Sequence, residues 1–369
     1  MSQGKINSLQ LLRAVAVGLV IFVHAINVGV SKLTDFDYGN LFYNFNNWGA
    51  IGVDLFFAIS GFIMTIVAPA YTKPGGWKKF FAKRIIRIVP LYYLLSGIDA
   101  LLTVYLQHKH ISFEVAIKTL IFIPVFDQGH FVTPLISVGW SLSFEVYFYA
   151  LIGIVLLLKK RINEVLLVIL VILSGTGLLL NDAGPLLKFL TSPMLLEFGF
   201  GILCGMLYKW FNTTDMEVGR KKMISIVLTG TGLILMLGSI FLNSTYKFYH
   251  PNVITDDNFI AFYRVVVWGL PAAIFMLGVI FLERSFKKDV PVVLILSGDA
   301  SYSCYLIHGM IYPIVASVFK YLSLGPTLYL ITIVPVCIGI SIVFYQIVER
   351  PMVTGIDKLL NYKKPVIMQ

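Results

Sequence analysis

Ten long apolar stretches follow one another along this chain of 369 residues. A helix needs about 20 residues to cross the hydrocarbon core of a bilayer, and each stretch is close to that length. Because 58% of the residues are hydrophobic and only 13% are charged, a water-soluble globular protein is excluded. The sequence predicts an all-α, polytopic integral membrane bundle that forms a single domain over residues 1–369. The ten predicted spans are 8–28, 48–69, 86–106, 137–158, 164–181, 191–209, 223–242, 260–282, 298–320 and 327–347.

The distribution of lysine and arginine predicts the orientation of these spans. With ten spans and a cytoplasmic N-terminus, most of the 29 Lys and Arg residues fall on cytoplasmic segments, as the positive-inside rule requires. Segment 113–126 is short and apolar, and we interpret it as an interfacial or re-entrant piece, because counting it as a span would move the basic cluster 159–161 to the outer side. Both termini are thus predicted to be cytoplasmic. The net charge of +10 is attributed to topology and contact with membrane lipid, not to nucleic-acid binding.

Two ionisable residues, Arg13 and His24, lie inside the first predicted span. An ionisable residue within a membrane span indicates a functional site, because its burial in lipid is costly. The two residues are eleven positions apart, so a helix places them on nearly the same face, about 16 Å from each other. One helix face therefore carries a cation near the cytoplasmic surface and a titratable imidazole near the outer surface.

Two carboxylates are predicted to reach the depth of His24. Asp54 in the second span and Glu145 in the fourth both fall in the outer half of the membrane under this topology. Imidazole titrates near neutrality, and a neighbouring carboxylate orients it and stabilises its charged form, so this set suits proton abstraction from a hydroxyl. Buried polar residues also join membrane helices to each other, and a structural role for Asp54 and Glu145 stays open.

A basic stretch, 78–87, leads into the third span on the predicted cytoplasmic side. Its lysines are typical of a positive-inside anchor. Arg84 and Arg87 are three positions apart, close to where Arg13 enters the membrane, and clustered guanidinium groups bind phosphorylated ligands through bidentate contacts. We therefore predict that these three arginines bind a phosphorylated ligand. No glycine pattern typical of an ATP or NAD site accompanies them.

Other polar residues of the fourth and ninth spans are predicted to bind substrate or support the site. Ser141 and Glu145 are i and i+4, and are therefore neighbours on one helix face. Cys204, Cys304 and Cys337 lie far apart in apolar segments, which argues against a disulfide framework and against a zinc site, and no metal is predicted. The predicted supporting residues are Trp140, Ser141, Ser143, Tyr305 and His308.

Taken together and in this order, these motifs resemble those of the membrane-bound acyltransferase 3 family over almost the whole chain. The residues that carry the resemblance are Arg13 and His24 with segments 52–62, 84–92, 140–145, 301–308 and 348–351. Within the family the chain is most similar to exopolysaccharide O-acetyltransferases without an added hydrolase domain, since only about twenty residues follow Glu349.

The resemblance implies a transmembrane O-acyltransferase of the bacterial cytoplasmic membrane. Such an enzyme moves an acyl group, usually acetyl, from cytoplasmic acyl-CoA to a hydroxyl of a cell-surface or lipid-linked polysaccharide, and acyl-CoA is a co-substrate, not a tightly bound cofactor. Arg13, Arg84 and Arg87 would hold CoA, His24 would act as the general base, and Glu145 or Asp54 would orient it. The alternative function is a transporter or flippase of a lipid-linked saccharide, with His24, Asp54 and Glu145 as its polar pathway.

Overall fold

A computed structural model describes residues 6–29, 32–33, 47–106, 108, 110–158, 161–180, 182–242, 248–286 and 290–360, and most of them are helical. The first half of the chain forms α1 (Asn7–His24), α2 (Ile51–Val67), α3 (Gly76–Leu106), α4 (Phe113–Leu120), β1 (Val125–Asp127), β2 (His130–Val132), α5 (Gly139–Leu158), α6 (Ile162–Leu179) and α7 (Pro185–Leu190). The second half forms α8 (Leu195–Thr213), α9 (Val218–Gly238), α10 (Pro251–Asp256), α11 (Asn258–Arg264), α12 (Leu270–Phe286), α13 (Val292–Asp299), α14 (Ser301–Tyr321), α15 (Pro326–Phe344) and α16 (Arg350–Leu359). Single π-helical turns, Ala25–Gly29, Val265–Gly269 and Tyr345–Glu349, extend α1, α11 and α15.

In this described part of the chain, ten helical segments are long and apolar enough to cross a membrane, which confirms the predicted number of spans. The largest differences from the predicted bounds are in the third and last spans. The third begins at Gly76, well before residue 86, so Arg84 and Arg87 lie inside α3. The last continues through the π-helical turn into α16 and ends at Leu359. The cytoplasmic location of both termini stays a prediction.

Segment 113–126 does not form a spanning helix. It folds into α4, which is capped by the Ser112 hydroxyl accepting a hydrogen bond from the Val115 N–H, followed by the first strand of a hairpin. In that hairpin β1 pairs antiparallel with β2, and Val125 lies opposite Val132. This agrees with the prediction that the segment does not span the membrane, and its interfacial or re-entrant location stays a prediction.

The outside of the bundle is apolar. Ile172 on α6, Ile234 on α9 and Ile331 on α15 are 60%, 71% and 67% exposed. A water-soluble monomer rarely exposes apolar surface of this extent, whereas lipid tails cover it without cost because they are as apolar as the side chains. The protein is a multi-pass integral membrane protein.

Glycines allow α2 and α8 to cross closely. A Cβ atom added at Gly61 would collide with the carbonyl oxygen of Phe198, and one added at Gly201 would collide with that of Ala58. Small residues of this kind let membrane helices approach backbone to backbone. The crossing matters for the site because α2 also carries Ser60, which faces the cavity described below.

Gly61→Ala is expected to destabilise the protein by about 1–3 kcal/mol, the usual cost of inserting an extra group into a tightly packed interface. Gly230→Ala on α9 is the matched control, because an added Cβ there has nothing within 4 Å and alanine favours a helix. Thermal unfolding of the two variants in detergent measures the difference. Equal unfolding temperatures would contradict the close crossing.

The beginning of α1 is held by a carboxylate. The backbone N–H groups of Asn7 and Ser8 donate to Glu283 of α12 at 2.8 and 2.9 Å, and the Ser8 hydroxyl donates to the same carboxylate. A negative group at a helix N-terminus satisfies its unpaired N–H groups and interacts favourably with the helix dipole. This contact fixes the helix that carries Arg13 and His24 relative to α12.

Candidate active site

A cavity of about 630 Å³ lies between α1, α2, α3, α5, α14 and α16. Arg13 from α1 and Arg84 and Arg87 from α3 all line it, so the structure brings together the three arginines that the sequence predicts to act together. Lys83 and Arg350 add two more cations to its wall. We call this space the arginine cavity.

Carboxylates neutralise part of this positive charge. Lys83 Nζ lies 2.8 Å from Asp357 Oδ1, an ion pair that ties α16 to α3. Glu349 accepts a hydrogen bond from the Ser303 hydroxyl and attracts Arg13 electrostatically. Arg84 takes part in none of these contacts.

Arg84 is the most deeply buried cation of the arginine cavity, with 7% of its surface exposed. Its guanidinium carbon lies 5.8 Å from the ring centre of Phe80 and 5.7 Å from that of Tyr149. Among the described residues, its Nε has no hydrogen-bond partner, and no carboxylate lies within salt-bridge distance of it. A buried charge needs a partner of opposite sign, so the surroundings of Arg84 are chemically suited to an anionic ligand.

Glu145 also lines the arginine cavity. One of its oxygens accepts hydrogen bonds from the hydroxyls of Ser60, at 3.2 Å, and Tyr149. These contacts join α2 to α5 on the cavity wall. Glu145 therefore belongs with the arginines in this structure.

His24 and His308 form a pair of rings. The ring centres are 5.2 Å apart in an edge-to-face arrangement. The Nδ1 of His24 lies 2.9 Å from the Val20 carbonyl oxygen, and the Nδ1 of His308 lies 3.1 Å from the Cys304 carbonyl oxygen. Because a carbonyl oxygen only accepts, each Nδ1 carries the proton of the neutral ring and each Nε2 keeps its lone pair. His24 thus presents Nε2 as a base.

In the structure, a backbone carbonyl and a neighbouring ring contact His24, and the orienting role of a carboxylate stays a prediction. The described contacts of His24 are with the Val20 carbonyl and the His308 ring, and neither Glu145 nor Asp54 is among them. A hydrogen bond from Nδ1 to a carbonyl one helical turn earlier serves the same geometric purpose, because it fixes the tautomer and the plane of the ring.

Asp54 is occupied by Arg264. The Arg264 guanidinium donates from Nε to Oδ1 at 3.0 Å and from the second terminal nitrogen to Oδ2 at 2.7 Å, and both side chains are 0% exposed. Arg264 also donates to the carbonyl oxygens of Phe248 and Ala50. This geometry is that of a bidentate structural ion pair, so Asp54 joins α2 to α11 and lies apart from the arginine cavity.

Sequence reasoning missed Arg264 and its neighbour Glu197. Glu197 of α8 is 0% exposed and interacts electrostatically with both Asp54 and Arg264. The signal was present, since both residues fall inside predicted spans, where an ionisable residue is costly and needs a reason. The same argument that selected Arg13 and His24 would have found them.

The remaining predicted residues divide into two groups. Trp140 packs within 5.9 Å of the Arg264 guanidinium and next to the Phe57 ring, and neither Trp140 nor the buried Ser143 lines the arginine cavity. Ser141 and Tyr305 do line it, and their hydroxyl oxygens are 2.8 Å apart. Of the predicted supporting residues, Ser141 and Tyr305 thus line the cavity, Trp140 packs against Arg264, and His308 pairs with His24.

The cysteines Cys204, Cys304 and Cys337 are buried and unpaired, as predicted. In the described segments, no group of three or more His, Cys, Asp or Glu side chains is placed to hold a metal ion.

Comparison with known proteins identifies relatives over most of the chain. A family model described as an acyltransferase domain matches residues 6–346. The exopolysaccharide production protein ExoZ of Rhizobium meliloti is 29% identical over 316 residues, which cover 82% of this chain and 89% of that protein. The peptidoglycan O-acetyltransferase OatA of Listeria monocytogenes is 28% identical over 342 residues, which cover 85% of this chain and 50% of that protein. No solved structure matches the chain significantly.

Proposed function

Because the chain belongs to the acyltransferase 3 family and is an acyltransferase, we propose that it moves an acyl group from cytoplasmic acyl-CoA to a hydroxyl of a polysaccharide. Acetyl is the proposed acyl group, and a cell-surface or lipid-linked glycan is the proposed acceptor. The names of the two relatives support this choice, since one is an exopolysaccharide production protein and the other a peptidoglycan O-acetyltransferase.

The arginine cavity is the observation that carries the proposal. CoA bears several phosphate groups, and arginine binds phosphate through paired N–H donors. Arg13, Arg84 and Arg87 line one space from two helices, and the buried Arg84 guanidinium lacks a carboxylate partner among the described residues. We assign this end of the bundle to the cytoplasm, where acyl-CoA is found, in agreement with the positive-inside prediction.

His24 supplies the base in this proposal. Its Nε2 takes the proton from the acceptor hydroxyl as the oxygen attacks the acyl carbonyl carbon, so that a carbon–oxygen bond forms while the carbon–sulfur bond of the thioester breaks. The departing CoA thiolate receives a proton in turn, which leaves no net proton consumed. General base catalysis by a positioned histidine is suited to this step at neutral pH.

The transporter alternative loses support for two reasons. The family is one of acyltransferases, and the relative from Listeria monocytogenes is named an O-acetyltransferase. Of the three residues of its polar pathway, Asp54 is bound to Arg264 and Glu145 lies in the arginine cavity.

Arg84→Ala is expected to weaken acyl-CoA binding about 10- to 100-fold, because charge-assisted hydrogen bonds contribute about 1.5–3 kcal/mol. Combining it with Arg87→Ala is expected to weaken binding further. Titration of the detergent-purified full chain with acetyl-CoA measures the dissociation constants. Binding with wild-type affinity by the double variant would overturn the donor site.

Lys79→Ala is the matched control for this titration. Lys79 lies on the same helix as Arg84 but is exposed and does not line the cavity, so its loss is expected to leave the acetyl-CoA affinity within about twofold. Arg84→Lys adds a second comparison. It keeps the charge but removes the forked donors, and is expected to bind with intermediate affinity.

A further inference from the structure

The arginine cavity ends at a small group of side chains from three helices. Ser141 of α5, Phe56 of α2 and Tyr305 of α14 all line it. The Phe56 and Tyr305 rings meet edge to face, with centres 5.8 Å apart. The Tyr305 hydroxyl is 2.8 Å from the Ser141 hydroxyl and also donates to the Val138 carbonyl oxygen at 3.2 Å. This part of the cavity wall is therefore formed by a ring that is held at its hydroxyl.

The histidine pair adjoins this ring. Tyr305 lines the cavity, and its ring centre is 6.0 Å from that of His308. His308 in turn contacts His24, with ring centres 5.2 Å apart. Neither histidine lines the cavity. Among the described ring contacts of the two histidines, the one with Tyr305 is the contact that leads to the cavity wall.

We infer that Tyr305, held by Ser141, is a partition between the donor cavity and His24 that sets the size of the acyl group the enzyme transfers. The inference rests on the proposed acyl-CoA donor and deepens it, because it selects acetyl over longer chains. Tyr305 and Ser141 are specificity-determining residues in this view. They neither accept nor donate a proton in the transfer, and the bonds formed and broken are those already described.

The size argument follows from how the partition is built. Tyr305 is 6% exposed, Phe56 packs against it, and its hydroxyl is hydrogen-bonded, so its ring is fixed on the cavity wall. A short acyl group needs a small opening, and each added methylene needs more. One methylene in a packed pocket changes the rate ratio of two substrates by roughly 10-fold or more.

The test measures which acyl groups reach the glycan. Inverted membrane vesicles from the native host contain its own glycan and expose the cytoplasmic side, so equimolar acetyl-, propionyl- and butyryl-CoA can be added together. Mass spectrometry of the glycan then gives the ratio of butyryl to acetyl. With wild-type protein, acetyl is expected to predominate. With Tyr305→Ala, we expect the butyryl-to-acetyl ratio to rise about 10-fold or more.

Two further variants separate the hydroxyl from the ring. Tyr305→Phe and Ser141→Ala each remove the hydroxyl pair and keep the ring, so a smaller rise of about threefold is expected. Tyr147→Phe is the matched control. Tyr147 lies on the same helix as Ser141 but does not line the cavity. Its hydroxyl donates to the Leu190 carbonyl oxygen at 3.0 Å, and its loss is expected to leave the ratio unchanged.

The possible outcomes are distinct. A ratio within twofold of wild type in Tyr305→Ala, with acetyl still transferred, would overturn the partition and leave the proposed function standing. If Tyr305→Ala does not reach the membrane, a ratio within twofold of wild type in Ser141→Ala would overturn the partition. If wild-type vesicles transfer none of the three acyl groups, the acyl-CoA donor fails, and the partition fails with it.

Discussion

Replacing His24 by alanine is expected to lower acyl transfer by about 10²–10⁴-fold, the usual contribution of a positioned general base. The physical reason is the fixed tautomer. With the Nδ1 proton bonded to Val20, Nε2 is the nitrogen left to take the proton of the acceptor hydroxyl. Mass spectrometry of the surface glycan measures the effect in cells that lack the protein and are restored with wild type or with His24→Ala.

His110→Ala is the matched control for this experiment. His110 is an exposed residue before α4, and its loss is expected to leave acylation unchanged. Membrane abundance of all three proteins is measured by immunoblot, so that a folding defect is not mistaken for lost chemistry. An abundant His24→Ala variant with full activity would remove the proposed base. An unacylated glycan in every strain, with a surface amount that depends on the protein, would favour the transporter instead.

Arg264→Met is expected to cost about 3–5 kcal/mol of stability, the largest structural effect predicted for this chain. Breaking one partner of a buried ion pair leaves the other as an uncompensated charge. The two side chains are 0% exposed, so water cannot solvate the Asp54 carboxylate that remains. Thermal unfolding in detergent and the amount of folded protein in the membrane measure the loss.

Removing both partners is expected to restore most of this stability. Asp54→Leu with Arg264→Met replaces the pair by apolar groups of similar volume, a change that is often neutral. Both comparisons are made in a Glu197→Gln background, so that the neighbouring carboxylate is not left without Arg264. If the stability loss of the double variant equals the sum of the losses of the two single variants, Asp54 and Arg264 are not energetically coupled.

The activity of that double variant separates two roles of Asp54. If the ion pair is structural, the folded double variant is expected to retain acyl transfer, since Asp54 contacts Arg264 and not His24. A catalytic carboxylate predicts that activity is lost even when stability returns. The same set of proteins therefore tests the sequence-based role of Asp54 directly.

The sequence determined the features that depend on local order along the chain. Hydropathy gave ten spans, because crossing a bilayer needs a fixed length of apolar helix. The α-helical repeat placed Arg13 and His24 on one face of α1, since that relation depends only on spacing. The clustering of Arg13 with Arg84 and Arg87 was also predicted, because all three lie near the predicted cytoplasmic ends of the first and third spans.

The tertiary structure alone decided which groups are partners. Depth along a span is readable from sequence, but the direction in which Asp54 and Glu145 point depends on how α2 and α5 rotate about their own axes when they pack. That rotation turned Asp54 to Arg264 and Glu145 to Ser60 and Tyr149. It also placed Tyr305 on the cavity wall and next to His308. Such contacts join residues far apart in the chain. They depend on the close crossing of helices at glycines and on the pairing of buried charges. The spacing of residues within one helix contains no information about either.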